Sequence, residues 1–336
     1  MDLSNAKILV TGADGFIGSH LAELLVRSNH NVRAMVCYNS LGSWGWLDSS
    51  EAELRKSMDV TMGDIRDRNF VRDAVRGCDV VLHLAALISI PYSYHAPFAY
   101  VDTNLTGTMN VLEAVREFSV SRMVNTSTSE VYGTAQFVPI TEEHPLNAQS
   151  PYAATKVAAD QMALSYQRTF GCPVSVIRPF NTYGPRQSTR AVIPAIISQI
   201  AAGQDVIKLG NLDASRDFTF VEDTAMGFIK VGETDACLGE VVNVGSGFDI
   251  TVKQTVEIIA EVMGRKIIVE QDETRMRPKD SEVDRLHAGV DKAKRLFDWN
   301  PRHGGVDGFR QGIARTVEWF SKKENLQHYP TEKFNL

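Results

Sequence analysis

Residues 7–18 read Lys-Ile-Leu-Val-Thr-Gly-Ala-Asp-Gly-Phe-Ile-Gly, and this stretch decides the fold. Its first four residues form a short apolar run that predicts a buried strand. Gly12, Gly15 and Gly18 then lead into a segment with apolar side chains at helical spacing. Glycines placed in this way let the backbone turn tightly and approach a pyrophosphate, whose negative charge is stabilised at a helix N-terminus. The stretch therefore predicts a strand, a glycine loop and a helix that bind a dinucleotide.

The alternation of strands and helices continues to about residue 178. Apolar runs predict further buried strands, and amphipathic segments between them predict helices. The strands are expected at residues 32–36, 60–62, 79–84, 122–125 and 174–177, and the helices include residues 104–117 and 153–168. Because strands that alternate with helices form βαβ units, the predicted fold class is α/β, with a doubly wound parallel sheet of the Rossmann type.

Beyond residue 178, proline and glycine interrupt the regular pattern, which favours a smaller, irregular and loop-rich C-terminal domain. A strand at residues 240–244 and a helix at 252–263 are still expected there. The predicted dinucleotide-binding domain comprises residues 1–178 plus about 214–246. The predicted substrate domain comprises about 179–213 plus 247–336.

Composition excludes several classes of protein. The chain has 336 residues and a formal net charge of −6, from 35 Lys+Arg and 41 Asp+Glu, and it lacks a basic cluster for nucleic acid. No apolar run reaches the roughly 18 residues that span a bilayer. The N-terminus lacks the pattern of a secretory signal, and the four cysteines have no metal-binding spacing. We therefore expect a soluble, cytoplasmic protein with no metal, no membrane segment and no nucleic-acid partner.

The residues that end the predicted second strand leave the choice of dinucleotide open. An acidic residue normally occupies this position in NAD-binding domains, where it binds the ribose 2′-hydroxyl, whereas an arginine accommodates the phosphate of NADP. The strand here ends with Cys37, Tyr38, Asn39 and Ser40, which include neither type.

Tyr152 and Lys156 form the first candidate catalytic pair. They lie four residues apart at the start of a predicted helix, so both side chains share one face. An ammonium group near a phenol is expected to stabilise the phenolate and lower its pKa. Such a tyrosine can exchange a proton with a sugar or alcohol hydroxyl while hydride moves to or from a nicotinamide.

A second set of polar residues, Thr128, Ser129 and Glu130, follows the predicted strand at 122–125. The carboxyl ends of strands in an open α/β sheet are where ligands bind. Thr128 is placed to hydrogen-bond a substrate hydroxyl beside Tyr152. Glu130 adds a second acid/base group, which simple oxidation of an alcohol does not require.

These motifs together resemble those of extended short-chain dehydrogenases/reductases that modify nucleotide sugars. The resemblance covers nearly the whole chain and rests on the segments TGADGFIG, GDIRD, HLAA, DTNLTGTMNVLEA, TSTSEVYG, SPYAATK, RPFNTYGPRQ, RDFTFVED and NVGSG. Within that superfamily the chain is most similar to NAD(P)-dependent nucleotide-sugar 4,6-dehydratases. The segments YNSLGSWGWLD and AALISIPYSYHAP resemble enzymes that act on UDP-N-acetylglucosamine in legionaminic-type sugar pathways.

The resemblance implies a role for each matching residue. Catalysis would fall to Thr128, Ser129, Glu130, Tyr152 and Lys156. Besides Tyr152 and Lys156, the cofactor contacts would be Gly12, Asp14, Gly15, Phe16, Ile17, Gly18, Asp64, Ile65, Leu84, Ala85 and Ala86. The nucleotide sugar would be held by Asn181, Arg216 and Arg277, with the arginines on its diphosphate. The cofactor would be NAD or NADP, tightly bound and recycled.

The resemblance also implies a homodimer. Helices at residues 104–117 and 153–168 would pack against those of a second copy as a four-helix bundle. Apolar side chains beyond one buried stripe support this arrangement, namely those of Val111, Leu112, Met162, Leu164 and Tyr166.

The expected reaction is a 4,6-dehydration of UDP-N-acetylglucosamine to a 4-keto-6-deoxy sugar. Glucose-type dehydratases carry an acidic pair after the threonine, whereas Ser129 precedes Glu130 here, as in GDP-mannose dehydratases. This leaves the proton donor for the 6-hydroxyl open. The alternatives are a UDP-glucuronate decarboxylase, a 4-epimerase that would not need Glu130, and a non-catalytic protein that senses the cofactor.

Overall fold

A computed structural model describes residues 1–275, 278–326 and 329 of the chain. In chain order its strands are β1 (Lys7–Thr11), β2 (Asn31–Cys37), β3 (Met58–Gly63), β4 (Val80–His83), β5 (Arg122–Thr126), β6 (Val174–Pro179), β7 (Asn181–Tyr183), β8 (Val206–Leu209), β9 (Ser215–Phe220), β10 (Val241–Val244), β11 (Asp249–Thr251), β12 (Ile268–Gln271) and β13 (Arg285–Leu286).

The helices surround these strands. They are α1 (Phe16–Arg27), α2 (Ala52–Lys56), α3 (Arg68–Val75), α4 (Ile90–His95), α5 (Pro97–Tyr100), α6 (Gly107–Glu117), α7 (Pro151–Phe170), α8 (Val192–Ala201), α9 (Val221–Glu233), α10 (Val252–Val262), α11 (Asp291–Phe297), α12 (Gly305–Phe320) and α13 (Lys323–Leu326). A π-helical turn, Val101–Thr106, precedes α6, and a short 3₁₀ helix, Ser129–Tyr132, follows β5.

Seven strands form one parallel sheet in the order β10-β6-β5-β4-β1-β2-β3. The chain moves outward from β1 through β2 to β3 and then continues on the other side of β1 with β4. This reversal creates a switch point between β1 and β4, where open α/β sheets bind their ligands beyond the carboxyl ends of the strands. The predicted doubly wound sheet is confirmed.

Both faces of this sheet are buried, because its strands are apolar on both sides and helices cover each face. Ile8 and Val10 of β1 pack in one cluster with side chains of α1 and α9. Leu9, which points to the opposite face, packs with α3, α6 and α7. A third cluster joins α8, α10 and α12 to β9 of the smaller sheet.

The structure corrects the reason given for a dimer. Val111 and Leu112 are fully buried, and Leu164 and Tyr166 are 6% and 8% exposed. All four pack in the cluster beneath α6 and α7 of the same chain. The apolar surface of these four residues is therefore covered without a second copy, whereas Met162, the fifth, is partly buried against the same cluster. The homodimer itself stays a prediction.

The smaller part of the chain contains more regular structure than its loop-rich sequence suggests. β9 pairs with β7, β11 and β13, and β8 pairs with β12. The sequence pattern predicted none of these six strands, and several of them are very short. β7 and β11 have three residues each and β13 has two, so none establishes an alternation of apolar and polar positions.

The predicted helix at residues 104–117 is confirmed only from Gly107 onward. Its first turn is a wider π turn, which places Asn104 against neighbouring segments. The Asn104 amide exchanges hydrogen bonds with the backbone of Leu87, at 2.8 and 3.0 Å, and donates to Thr155 Oγ1 at 3.1 Å. The turn thus joins the segment after β4 to helix α7.

Candidate active site

The glycine loop closes tightly around the end of β1. Gly12 has φ +68°, and a Cβ there would lie 2.8 Å from the backbone nitrogen of Ala85. A Cβ on Gly18 would lie 2.1 Å from the carbonyl oxygen of Gly12. Gly15 is the N-cap of α1, and no side chain in the described part of the chain caps that helix. The backbone therefore forms a cradle that suits a pyrophosphate.

The segment after β4 lies directly beside this cradle. Thr11 Oγ1 accepts hydrogen bonds from the backbone nitrogens of Leu84 and Ala85, both at 3.1 Å. These contacts bring the predicted cofactor residues at 84–86 to the glycine loop. They lie at the switch point of the sheet, and their contact with a cofactor stays a prediction.

His83 continues the same hydrogen-bond chain into the core. Because Thr11 Oγ1 already accepts two N–H groups, its proton points to His83 Nδ1 at 2.8 Å. His83 Nε2 then carries the ring proton and donates to Thr108 Oγ1 at 3.1 Å. Thr108 in turn donates to the carbonyl oxygen of Asn104 at 2.6 Å. Burial lowers the pKa of His83 to about 3, and Lys156 adds to the effect.

Asp64 and Ile65 follow the end of β3. Asp64 forms a hydrogen-bonded ion pair with Arg66, which lowers the pKa of the carboxyl group. Ile65 packs against Gly107, where an added Cβ would lie 3.0 Å from it. Asn110 Nδ2 donates to the Ile65 carbonyl oxygen at 3.0 Å. The structure thus fixes both residues beside the carboxyl end of β2, and their contact with a cofactor stays a prediction.

Helix α7 presents Tyr152 and Lys156 at its beginning. Ser150 is the N-cap and accepts a hydrogen bond from the Ala153 nitrogen at 3.1 Å, while Pro151 occupies the first helical position. Tyr152 and Lys156 are 7% and 3% exposed. The helix start therefore holds both side chains in a nearly water-free region at one end of α7.

Thr128 and Glu130 lie next to Tyr152. Thr128 caps the short 3₁₀ helix by accepting a hydrogen bond from the Glu130 nitrogen at 3.2 Å. Its side chain also hydrogen-bonds Tyr152, which lowers the pKa of the phenol, whereas the Glu130 carboxylate raises it. Ser129 is 2% exposed. The structure therefore brings together Thr128, Glu130 and Tyr152, three of the predicted catalytic residues.

The expectation that the pKa of Tyr152 is lowered is wrong for this state of the protein. Burial is the largest influence and raises that pKa, and Glu130 raises it further. The ring of Tyr100 packs edge-to-face against Tyr152, with 6.2 Å between centroids, and excludes water. Burial also lowers the pKa of Lys156 to about 8, although Asp160 opposes the shift. Desolvation thus outweighs the expected stabilisation of the phenolate.

Sequence reasoning missed a buried ion pair behind these residues. Asp160 accepts hydrogen bonds from Ser127 Oγ at 2.5 Å and from Arg178 Nη2 at 3.1 Å. Arg178 Nη1 donates to the Tyr132 hydroxyl at 2.9 Å. The sequence could have indicated Asp160, because this residue follows Lys156 by four positions and therefore lies on the same face of α7.

Among the buried side-chain polar atoms that lack a hydrogen-bond partner within the described residues, two lie on segments predicted to bind the substrate. They are Ser89 Oγ and Asn181 Oδ1. The Tyr100 hydroxyl donates to the Ser89 carbonyl oxygen and holds that segment in place. Buried polar atoms without a partner are costly, so these two are suited to a polar ligand.

Of the two arginines predicted to bind the diphosphate, the described residues include Arg216. Arg216 is 8% exposed on β9, where it forms an ion pair with Glu282 at 3.3 Å and donates to the Ser215 carbonyl oxygen at 2.9 Å. A diphosphate would therefore share Arg216 with Glu282. Arg277 lies outside the described residues.

Two further properties concern the described residues as a whole. Within residues 1–275, 278–326 and 329, no group of three or more His, Cys, Asp or Glu side chains is arranged to hold a metal ion. No helix in the same ranges has the length and apolar character to cross a membrane.

A glycine cradle at the switch point of a parallel sheet, beside a Tyr-Lys pair on one helix, defines an extended short-chain dehydrogenase/reductase of the nucleotide-sugar group. Residues 9–314 match the family model described as GDP-mannose 4,6-dehydratase, and the chain belongs to this family.

Its relatives include both dehydratases and epimerases. The dTDP-glucose 4,6-dehydratase of Actinoplanes sp. is 34% identical over 320 residues, which cover 94% of this chain and 97% of the relative. DesIV, a dTDP-glucose 4,6-dehydratase from Streptomyces venezuelae solved with NAD and TYD, matches 97% of this chain and 100% of its own with 28% identity and a TM-score of 0.85. A UDP-N-acetylglucosamine 4-epimerase from Methanobrevibacter ruminantium M1 matches 94% and 98% with 29% identity and a TM-score of 0.84.

Proposed function

We propose that the protein is an NAD-dependent nucleotide-sugar 4,6-dehydratase that acts on UDP-N-acetylglucosamine. The observation that carries this proposal is the position of Glu130 beside Tyr152 and Thr128. Oxidation at C4 needs only one acid/base group, whereas loss of water also needs a base for the C5 proton. Glu130 supplies that second group.

The glycine cradle and residues 84–86 suit NAD, and structural relatives from Streptomyces venezuelae and Bacillus anthracis were solved with it bound. When bound, NAD would supply the acceptor for the hydride from C4 and the source of the hydride for C6. Gly12, Gly15 and Gly18 would hold its pyrophosphate through backbone groups. Because the cofactor ends the cycle unchanged, we expect it to stay bound.

The protein's own residues manage the protons of this cycle. Tyr152 takes the proton of the 4-hydroxyl, and Thr128 orients that hydroxyl. Tyr152 has to be ionised before it can act as this base. Lys156 is protonated below its pKa of about 8, and its ammonium group stabilises the Tyr152 phenolate. The 4-ketone then makes the C5 proton acidic, Glu130 removes that proton and passes it to the 6-hydroxyl, and the protonated hydroxyl leaves as water. The low exposure of Tyr152 and Lys156 keeps the intermediate away from bulk water.

The choice of UDP-N-acetylglucosamine rests on sequence resemblance and on one structural relative. Residues 38–48 and 85–97 resemble enzymes that act on this sugar. The relative from Methanobrevibacter ruminantium is named as a UDP-N-acetylglucosamine 4-epimerase. Asn181, with its Oδ1 buried and unbonded among the described residues, and Arg216 are the proposed contacts to the nucleotide sugar.

A 4-epimerase is the second candidate, because epimerases match this chain about as well as dehydratases do. The two reactions share C4 oxidation by Tyr152. They differ afterwards, since an epimerase returns hydride to C4 and leaves C5 and C6 unchanged. Glu130 favours dehydration.

Incubation with a panel of nucleotide sugars in heavy water, followed by NMR, tests the proposal. We expect a 4-keto-6-deoxy product from UDP-N-acetylglucosamine with deuterium at C5. Inversion at C4 without deuterium would instead identify an epimerase, and release of carbon dioxide from UDP-glucuronate would identify a decarboxylase. Absence of turnover on the whole panel would favour a cofactor-sensing protein.

The division into a dinucleotide-binding domain and a substrate domain, at the boundaries predicted from the sequence, is part of this proposal. A homodimer and a cytoplasmic location also stay predictions.

A further inference from the structure

The end of β2 offers no charged side chain that could discriminate between the adenosine ribose of NAD and the 2′-phosphate of NADP. Asn39 is the nearest candidate by type, but its amide is used within its own turn. Asn39 Nδ2 donates hydrogen bonds to the carbonyl oxygens of Cys37 and Ser43, at 3.3 and 2.7 Å. Asn39 Oδ1 accepts hydrogen bonds from the backbone nitrogens of Leu41 and Ser43, at 3.2 and 3.1 Å. A charged group that distinguishes NAD from NADP therefore has to come from another segment.

Asp14 of the glycine loop lies beside the end of β2. The Ala13 nitrogen donates to the Met35 carbonyl oxygen at 3.1 Å, so the chain stays beside β2 after β1 has ended. The next residue is Asp14, and the backbone N–H group of Cys37 faces its carboxylate. The carboxylate thus stands beside the last residue of β2, although the glycine loop supplies it.

The loop after β2 fixes Asp14 from its other side. The Trp46 nitrogen donates to the Asp14 carbonyl oxygen at 3.0 Å. Gly45 has φ +62°, and a Cβ on it would lie 2.8 Å from the Asp14 Cβ. Asp48 closes the same loop by accepting hydrogen bonds from Ser43 Oγ at 2.6 Å and the Trp44 nitrogen at 3.0 Å. Asp14 is therefore held by two segments rather than free on the surface.

The charges around Cys37 also disfavour the 2′-phosphate that distinguishes NADP from NAD. Asp14 and Asp64 both raise the pKa of the Cys37 thiol, which places two carboxylates near the end of β2. Arg66 is the cation that acts on the same thiol, and its guanidinium is engaged by Asp64 at 3.0 Å. Asp64 is thus paired with Arg66. Burial raises the pKa of the Asp14 carboxyl group, and the backbone N–H groups of Asp14 and Cys37 oppose that shift by stabilising the carboxylate.

We propose that Asp14 is the residue that selects NAD over NADP in this protein. Its carboxylate accepts hydrogen bonds from the adenosine ribose hydroxyls and repels a phosphate at the 2′ position. An acid at the end of β2 ordinarily performs this task in dinucleotide-binding domains, and here the glycine loop performs it instead. The inference concerns cofactor choice alone and holds for a dehydratase and an epimerase equally.

Competition between the two cofactors tests this role without any turnover. Purified protein is incubated with equal NAD⁺ and NADP⁺ until the bound ratio stops changing, then filtered, and the cofactors released by denaturation are quantified. We expect wild type to retain NAD⁺ over NADP⁺ by at least ~100-fold, and Asp14→Asn to reduce this preference by at least ~10-fold, the effect of one hydrogen bond to a charged group plus relieved repulsion.

Asp59→Asn is the matched control, because it removes the same charge at the opposite end of β3, where Asp59 pairs with Lys7 and Arg33. Its cofactor ratio should equal that of wild type. The proposal is overturned if Asp14→Asn keeps the wild-type ratio within twofold, or if Asp59→Asn changes the ratio equally.

A second measurement needs no variant. In wild type, 2′-deoxy-NAD⁺ should compete at least ~10-fold less well than NAD⁺, because the hydrogen bond to Asp14 is lost. Equal competition by the two would also overturn the proposal. Since both readouts are binding ratios, their failure is distinct from a failure of the proposed reaction.

Discussion

At the scale of single residues, Glu130 is the residue that would separate dehydration from simple oxidation. In the proposed reaction Tyr152 and Lys156 act in the first hydride step, and Glu130 acts only once the 4-ketone exists. In Glu130→Gln the side chain keeps its size but does not take a proton at neutral pH. We expect the variant to oxidise C4 and then stall, so that reduced cofactor accumulates and absorbs in the near ultraviolet. Exchange of the C5 proton with solvent, as monitored by NMR, should be strongly slowed.

Two other outcomes would change the role of Glu130. Dehydration at the wild-type rate would make Glu130 a structural residue and remove the named base from the mechanism. Failure even to reduce the cofactor would mean that Glu130 binds or orients the sugar before the first step. Ser129→Ala in the same assay tests whether that hydroxyl helps the 6-hydroxyl to leave, since only the step after cofactor reduction should then slow.

Replacement of Tyr152 by Phe removes one hydroxyl and little volume. We expect folding and cofactor binding to survive and turnover to fall by at least ~100-fold, the low end for loss of a positioned acid/base group. Tyr166→Phe is the matched control, because its hydroxyl lies on the same helix but bonds to Glu113 at 2.6 Å. Steady-state rates of the two variants check this, and near-normal turnover in Tyr152→Phe would contradict the assignment.

The residues of the site differ in how far the sequence predicts them. Spacing places Tyr152 and Lys156 on one helix face, and the resemblance places Thr128 and Glu130 beside them. The direction of the Tyr152 pKa was not predictable, because it depends on burial against Tyr100, which is distant in sequence from α7. The same holds for Asn181 Oδ1, whose lack of a partner is a property of the folded chain.

At the scale of elements, apolar runs identified the strands of the large sheet because these strands are buried on both faces. The expected strand at 32–36 corresponds to β2, and that at 174–177 to β6. The helix at 252–263 is confirmed as α10, whose Thr251 and Gln254 form a capping box. The strands around β9 were not predicted because several have only two or three residues and because their pairing partners are distant in sequence.

The hydrogen-bond chain through His83 connects β1, β4 and α6, and it predicts a dependence of stability on pH. The folded-state pKa of His83 is lowered to about 3, below the ordinary 6.5, so the unfolded chain takes up the proton first. The free energy of unfolding therefore falls as pH decreases from about 6.5 toward 3. We expect His83 to contribute roughly 2 kcal/mol to the loss between pH 7 and pH 5, at about 1.4 kcal/mol per pH unit below 6.5.

Urea unfolding at the two pH values checks this contribution. His83→Asn should be less stable than wild type at pH 7 but should lose less stability on acidification. His95→Asn, at an exposed position, should behave like wild type. His20, whose pKa is lowered to about 4 chiefly by burial, adds a similar slope in all three proteins. An unchanged slope in His83→Asn would show that His83 does not titrate on unfolding.

At the scale of the whole molecule, the large sheet and its helices leave an apolar surface near α7. Phe98 of α5 is 82% exposed and Val101 of the adjoining π turn 40%. Four of the five residues first considered for a dimer, all except Met162, are buried within the chain, so Phe98 and Val101 are the better candidates for contact with a second copy. Exposed apolar groups on neighbouring elements are typical of protein interfaces.

We expect a homodimer, with a sedimentation mass of twice the chain's 37.2 kDa, formed through the face that carries Phe98. Phe98→Asp should shift the equilibrium toward monomer, because the carboxylate would lose its hydration in the interface. Leu41→Asp is the matched control, since Leu41 is 90% exposed on the loop after β2. Analytical ultracentrifugation over a range of concentrations measures all three proteins. A wild-type mass of one chain at every concentration would exclude the dimer, and an equal shift by Leu41→Asp would place the interface on another face.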